Sequence, residues 1–554
     1  MCLLLVALVG GDPTPAIKVD QVGYPLAGPK VALVAAPEAP SFVVRRSEGG
    51  SVVLKGTLSH SVQDPDSGDT LQVADFTNLQ DPGRYYLEIP GTGRSWDYVV
   101  KSHPYADVLY LAARSYYGQR CGAVVTLGSS CPRCSHPACH LEGVFHSSSG
   151  KAGAAPSHGG WHDAGDYGRY VVNSGLSTGT LLWAWELFKG PLEALRLDIP
   201  ESGGATPDFL SEIRWNLEWM QTMQDADGGV WHKQTSETFA AFVRPEEDHL
   251  PSAIIGTGKA PFKSSCATGD FAAVLGIASR AFAPYDASFS ASALEAARRA
   301  WRWLEVNPNV VFRNPQDVKT GEYGDPQCGD ERLWAAAELY RTTHEEPYRR
   351  YVLEHAKDFE APFERPPSWP KVAAMGLWSY ALAGDDPVGQ KVRADTLRAA
   401  DAIAARTLSS PYRTSLMASD YVWGSNGVAA NYGMEMLVAH LFRPDRRYVD
   451  GALEDLHYLL GRNTFSESFV TRVGENPCQH PHHRPSVAGG ETWPGLLCGG
   501  PNAGRQDPAL KALTSSLPPA RVYVDESASY AGNEVAINWN APLVFLLAGV
   551  LASE

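Results

Sequence analysis

Thr206-Pro-Asp-Phe-Leu-Ser-Glu-Ile-Arg-Trp-Asn-Leu-Glu-Trp-Met-Gln-Thr-Met223 reads as a helix from its first residues. Thr206 is a candidate N-cap, and Pro207 suits the first helical position, where its missing N–H would have no helical partner anyway. Leu210, Ile213, Leu217, Met220 and Met223 then recur at alternating three- and four-residue steps, giving one apolar face. Similar runs begin near Tyr105, Val171, Asp270, Ala291, Glu331, Pro347, Val372, Val388, Val428, Arg446 and Glu534, many rich in Ala and Leu around most of their circumference. About twelve mostly buried helices, with no second strand-rich region, predict six helical hairpins closed into an all-α (α/α)6 barrel. The rival solenoid would need a repeat of roughly 34 to 47 residues, and none is visible. The intervening Gly- and Pro-rich loops far exceed the usual ~4–6 residues, which marks them as functional.

The N-terminal part has a different texture. Ile17 to Asp20, Lys30 to Val34, Phe42 to Arg45, Val52 to Leu54, Leu71 to Ala74, Arg84 to Ile89 and Trp96 to Val100 are short β-rich runs separated by Gly, Pro, Asp and Ser. That spacing predicts a small all-β, immunoglobulin-like sandwich over residues 17–103. The boundary falls near Ser102-His103-Pro104-Tyr105, leaving 104–554 for the helical domain and 1–16 as a tail. Met1-Cys-Leu-Leu-Leu-Val-Ala-Leu-Val-Gly-Gly reads as the apolar part of a secretory signal without its basic start, so the protein is expected to be secreted.

Composition narrows the partners. The 554 residues carry 47 Lys and Arg against 62 Asp and Glu, a formal charge of −15 with no basic stripe, which excludes a nucleic-acid partner. With 44 % hydrophobic and 20 % charged residues the chain can bury a large core and is not disordered. The apolar run from Ala541 to Leu551 is shorter than the ~18–20 residues of a membrane span, so no membrane is expected. The 15 Trp and 23 Tyr keep sugar binding open, because flat aromatic faces match the apolar faces of pyranose rings. A monomer is expected.

Three clusters can carry chemistry. In Gly159-Gly-Trp-His-Asp-Ala-Gly-Asp-Tyr-Gly-Arg-Tyr170, Asp163 and Asp166 stand three apart where a loop runs into a helix. Two such carboxylates can converge on one water, with the helix N-terminus keeping one ionised as a general base; the plainer alternative is that one merely caps the helix. In Tyr523-Val-Asp-Glu-Ser-Ala-Ser-Tyr-Ala-Gly-Asn-Glu534, the last residue stands at the entrance of an apolar helix. Desolvation would make Glu534 a general acid, whereas the helix dipole alone would make it an ordinary first-turn glutamate. The third cluster, Ser468 to Arg484, holds His480, His482, His483 and Arg484, which suit either a metal or sugar hydroxyls. Its spacing is not the helical His pair of the zinc proteases.

Together the three resemble glycoside hydrolase family 9, the inverting cellulases. The resemblance rests on Asp163-Ala-Gly-Asp166, on Gly-x-Asn-x4-Pro-His-x-Arg ending at Arg484, and on Tyr-x-Asp-x4-Tyr-x3-Glu-x-Ala-x3-Asn-Ala from Tyr523, in the family's order. Val19-Asp-Gln-Val-Gly-Tyr24 is similar to the immunoglobulin-like domain that precedes the barrel in one bacterial subgroup. The family implies an open cleft for a β-1,4-glucan partner and an endo-β-1,4-glucanase. By position, Asp166 would be the base, Asp163 would help hold the attacking water, and Glu534 would be the acid. His482, Arg484 and Tyr530 would line the central subsites, and Asp525 would support the acid's loop. Inversion fits a base–acid separation of ~6.5–9.5 Å, which leaves room for a water.

The same resemblance bears on the nine cysteines. It implies a structural zinc held by Cys121, Cys139, His140 and His162, a closed site directly before Asp163. Cys131-Pro-Arg-Cys134 is an extra pair that either forms a local disulfide or competes for the metal, and Cys478 and Cys498 either bridge or stay free. Calcium is a weaker expectation at Asp325, Asp330 and Glu331, because Gln327 and Cys328 interrupt the oxygen-ligand pattern and no partner Asp follows around Trp369-Pro-Lys. Sugar stacking is expected among Trp161, Trp231, Trp423 and Trp493, with Trp161 and Trp423 foremost. Rivals are an exo-acting cellodextrinase, β-glucosidase or exo-glucosaminidase, in which Cys131 to Ser149 would block one end of the cleft, and a non-catalytic glucan-binding protein. A polysaccharide lyase on a similar helical toroid would want a basic cleft, which the acidic balance disfavours.

Overall fold

A computed structural model describes residues 11–359 and 362–554, so the apolar start read as a signal remnant lies, up to Gly10, outside the described residues. The N-terminal strands form two sheets. One joins Ile17–Lys18, Val31–Val34, Thr70–Asp75 and Val62–Gln63 in that order. The other runs Gly23–Pro25, Tyr98–Lys101, Gly83–Ile89, Ser41–Arg46, Val52–Thr57, with Gly93–Arg94 beside Gly83–Ile89. Period-two alternation sets the register: Phe42 and Val44 turn inward, while Ser41, Val43 and Arg45 stay partly exposed. Ile17, Tyr24, Val34, Leu87 and Tyr98 complete the sandwich core.

The last of these strands ends at Lys101 and the first helix begins at Ala106. Among the described residues, twelve α-helices reach ten residues or more. Six of them, Val171–Leu187, Ser265–Phe282, Gly329–Thr343, Ala373–Ala383, Ser425–Phe442 and Ile537–Ser553, are mostly buried. They form the inner ring, with the Pro387–Ser409 helix packing on both neighbours where Ala373–Ala383 and Ser425–Phe442 stand apart. The other six alternate with them in sequence and pack outside, so the domain is an (α/α)6 barrel, as expected. Close approach of the inner helices depends on small residues: a Cβ on Gly376 would lie 2.8 Å from the Cα of Trp334. Trp183 and Trp378 fill the centre with ring centroids 6.3 Å apart, and truncating either to Ala would cost about 3–5 kcal/mol.

Helix starts shift where the true cap lies upstream of the apolar pattern. Ser264 and Asp286 accept the N–H groups of Ala267 and Phe289, so the helices expected near Asp270 and Ala291 begin at Ser265 and Ala287. Thr206 is not the cap of its helix, which starts at Asp208 after Pro207. The Asp208 carboxylate instead accepts the N–H of Leu197 and the hydroxyl of Ser202.

Candidate active site

A cleft of ≈ 850 Å³ opens over the N-terminal ends of the inner helices. Asp163, Asp166 and Tyr170 precede Val171–Leu187, Tyr323 precedes Gly329–Thr343, and Trp369 precedes Ala373–Ala383. Trp423 precedes Ser425–Phe442, and Glu534 precedes Ile537–Ser553. Unpaired N–H groups at these ends favour negative charge, which suits a floor of carboxylates.

Neither aspartate caps the helix that follows; its N-cap is Tyr170. Asp163 accepts hydrogen bonds from the Asn173 amide (2.7 Å) and the Tyr323 hydroxyl (2.6 Å). Asp166 accepts them from the Tyr170 hydroxyl (3.0 Å) and the Gly168 N–H (3.2 Å). Burial raises both carboxyls above the ordinary aspartate range. The charge of Asp166 lifts Asp163 further, whereas the Arg484 guanidinium and the Tyr170 hydroxyl pull Asp166 back. Arg484 thus favours the ionised form of Asp166, the property a base needs.

Glu534 does not stand in the helix's first turn. The helix begins at Ile537, and Glu534 sits on an extended segment bridged to His482, its carbonyl accepting the Gly499 N–H at 2.7 Å. The dipole argument for an ordinary helical glutamate thus loses its geometry. Burial, then the charges of Asp166 and Asp163, hold its carboxyl well above the usual range, against weaker pulls from Arg484 and the Trp423 indole. A carboxyl whose proton affinity is raised in this way, in one cleft with a carboxyl that Arg484 pulls back, has the chemistry an acid–base pair uses.

The His–Arg segment is locked to the aspartate loop. Arg484 donates from its backbone (3.1 Å) and its guanidinium (2.8 Å) to the Gly165 carbonyl. A Cβ on Gly165 would lie 2.0 Å from the His482 carbonyl oxygen, so only glycine permits this approach. His482 donates Nδ1–H to the Ser527 carbonyl at 2.7 Å, leaving Nε2 as an acceptor in the cleft. Tyr530 and Trp423 face each other across 5.7 Å on the cleft wall. Asp525 is not on the wall. Its carboxylate accepts the N–H groups of Gln479 (2.7 Å) and His480 (2.8 Å) and the Asn533 amide (2.8 Å), pinning the residue before Glu534.

Trp161 is a correction. It is fully buried, its indole N–H donating to Glu212 at 2.9 Å and its ring packed on Tyr116, so it cannot stack on a sugar in the cleft. Trp231 and Trp493 are buried as well, which leaves Trp423 of the four. The reading missed Tyr323, Trp369 and Phe239, which lie in long loops without a local motif; Trp539 lay inside the third motif unremarked.

Cys121, Cys139, His140 and His162 bring one donor atom each to within 4.8 Å of one another. The buried Nδ1 of His140 has no hydrogen-bond partner while its Nε2 meets Asp248 at 3.1 Å, the arrangement in which a carboxylate orients a metal-binding imidazole. Two thiols and two imidazoles so placed fit zinc. Cys131 and Cys134 form a disulfide with each other, outside this cluster. A second disulfide, Cys266–Cys328, was not foreseen; Cys478 and Cys498 face each other at 2.7 Å as free thiols. Near the Cys266–Cys328 disulfide, buried oxygens of Asp270, Glu331 and Asp325 lack partners, whereas Asp330 accepts the Val372 N–H. Asp270 adds a buried carboxylate beside Asp325 and Asp330, and carboxylate oxygens are the ligand chemistry of a hard cation such as calcium. Among the described residues, no helix is long and apolar enough to cross a membrane.

Opposed carboxyls of unequal proton affinity on the floor of an aromatic-lined cleft, over an (α/α)6 barrel, define a glycoside hydrolase. The chain belongs to glycosyl hydrolase family 9, whose model matches residues 105–547, and a cellulase N-terminal ig-like domain matches residues 12–94. It is 36 % identical over 542 residues to Endoglucanase D of Acetivibrio thermocellus, covering 96 % of this chain and 83 % of that protein. The fold superposes on a thermostable endoglucanase from Alicyclobacillus acidocaldarius with a TM-score of 0.89 at 34 % identity, covering 97 % of this chain and 100 % of that one. A zinc-binding triple mutant of the family 9 endoglucanase J30 gives 0.87 at 34 % identity, covering 95 % and 99 %.

Proposed function

We propose that this hydrolase is a secreted endo-β-1,4-glucanase that cleaves cellulose and related β-1,4-glucans with inversion, and that it works as a single chain. One observation carries the reading: Asp163, Asp166 and Glu534 share the floor of one cleft whose walls are Trp369, Trp423, Tyr530 and Trp539. Asp166 takes the proton of a water that attacks the anomeric carbon, while Asp163 holds that water. Glu534 protonates the departing glycosidic oxygen, Asp525 keeps the Asn533–Glu534 segment in place, and Arg484 lowers the proton affinity of Asp166. His482 Nε2 accepts from a sugar hydroxyl, and Tyr530 and Trp423 stack on pyranose faces.

Endo rather than exo action is supported by the Cys131 to Ser149 segment. Arg133 turns to Glu491 and Gly143–Phe145 pairs with Ser252–Ile255; none of residues 131–149 is among the cleft-lining residues. The disulfides Cys131–Cys134 and Cys266–Cys328 suit an oxidising, extracellular setting. Zinc would be held by Cys121, Cys139, His140 and His162, where it supplies a closed structural cross-link beside Asp163 and no open position for substrate. Asp270, Asp325, Asp330 and Glu331 would hold calcium. The test is cleavage of end-labelled cellohexaose: mixed early internal cuts support the reading, and stepwise release of glucose or cellobiose from one end contradicts it.

A further inference from the structure

We propose that Lys233 is a positioning residue for the hydrolysis proposed above, on which this inference rests: its ammonium braces the two tyrosines that hold Asp163 and Asp166. Lys233 opens the strand Lys233–Thr235 and stands opposite Tyr170 in antiparallel register. It is completely buried, which lysine almost never tolerates without dedicated partners.

Its partners are oxygens of a single strap. Nζ donates to Asn314 Oδ1 (2.8 Å), Thr320 Oγ1 (3.0 Å) and the carbonyls of Gly321 (2.8 Å) and Thr320 (3.3 Å). Neighbours in sequence help: His232, just before the strand, meets the Glu322 carbonyl at 2.9 Å, and Thr235 on it meets Thr320 at 2.8 Å. The strap then turns at Tyr323, whose φ of +45° is unfavourable for a bulky residue and persists only where the surroundings impose it. That turn delivers the Tyr323 hydroxyl to Asp163.

On its other side, Nζ lies 5.5 Å from the centroid of the Tyr170 ring, whose hydroxyl holds Asp166. The Tyr170 and Tyr323 rings are themselves 4.8 Å apart. One cation thus fixes the spacing of both donors beneath the catalytic pair. Burial pushes the ammonium down to about 7, with the charges of Asp166 and Glu322 resisting, so the brace is charged below that pH and weakens as pH rises through it.

The test compares wild type, Lys233→Met, Tyr323→Phe and the double variant on cellohexaose and on 2,4-dinitrophenyl β-cellobioside, whose leaving group needs no acid. Lys233→Met is expected to lower kcat by about 10²-fold on both substrates, since misplacing a reacting group by an ångström has that effect. KM should stay within about threefold, and the double variant should lose much less than the product of the single losses, as coupled residues do. A full product, a defect confined to KM, or a loss on cellohexaose alone would overturn the brace. If Lys233→Met fails to fold by its melting curve, Thr320→Val removes one acceptor and runs the same cycle with a loss of about fivefold. Wild type inactive on both substrates overturns the glucan reading together with the brace; active wild type with unimpaired Lys233→Met overturns the brace alone.

Discussion

The two sides of the cleft floor use the same functional group in opposite ways. On one side Asp163 and Asp166 each accept two hydrogen bonds, from Asn173 and Tyr323 and from Tyr170 and Gly168, with Arg484 close to Asp166. On the other, Glu534 is buried with the charges of that pair against it and only Arg484 and the Trp423 indole in its favour. Donors stabilise a carboxylate; desolvation and like charge stabilise a carboxylic acid. Placement, not residue type, thus separates the proposed base from the proposed acid.

The largest effect should come from removing the acid. Glu534→Gln is expected to lower kcat on cellohexaose by about 10³-fold, yet to spare 2,4-dinitrophenyl β-cellobioside to within about tenfold. Equal losses on both substrates would break the asymmetry. Asp166→Asn should fall about 10²- to 10³-fold on both, because the water must be activated whatever leaves.

The pH profile sharpens the same contrast. With Asp166 as the proposed base and Glu534 as the proposed acid, activity needs the first ionised and the second protonated, so kcat/KM should fall as pH drops through the first and as it rises through the second. Both are raised by burial, so the bell should lie above the ordinary carboxylate range. In Glu534→Gln its alkaline limb should lose the Glu534 step and keep only the step from losing the Lys233 ammonium as pH rises through about 7. An alkaline limb left unchanged in position and steepness by that substitution would assign the acid elsewhere.

Stripping zinc, with calcium kept in the buffer, probes the aspartate side, since His162 directly precedes Asp163. Metal-free protein should melt about 10 °C lower, as expected when a ligand bound only by the folded state is lost. Unchanged melting of verified metal-free protein would contradict the structural-zinc reading. The smallest effect belongs to the wall: Trp423→Ala should raise KM for cellohexaose about fivefold, the worth of one stacked ring, with a smaller change in kcat from the lost indole contact to Glu534.

Much of this was legible in the sequence because it is local. The helices show in apolar steps such as Leu210, Ile213 and Leu217, and the strands in runs such as Phe42 to Arg45. The three motifs keep Asp163, Asp166, His482, Arg484, Tyr530 and Glu534 in fixed local spacing, and the barrel brings all six to one cleft. What was not legible depends on contacts far apart in the chain. Tyr323 reaches Asp163 across 160 positions, and Cys266 meets Cys328 across 62, with no pattern to announce either. Trp161 misled because Gly159 and Gly160 made it look like a loop tip, whereas Glu212 and Tyr116 draw it into the core. Glu534 looked helical because Val535 and Ala536 continue the apolar run, while its bridge to His482 holds it extended.

The most direct test of an acid and a base on opposite sides of the floor is the anomeric configuration of the first products. Proton NMR of cellohexaose cleavage, read before mutarotation, should show the new reducing ends appearing as the α-anomer. First products that appear as the β-anomer would mean that a carboxylate attacks the sugar itself, and would contradict the assignment of Asp166 as base and Glu534 as acid.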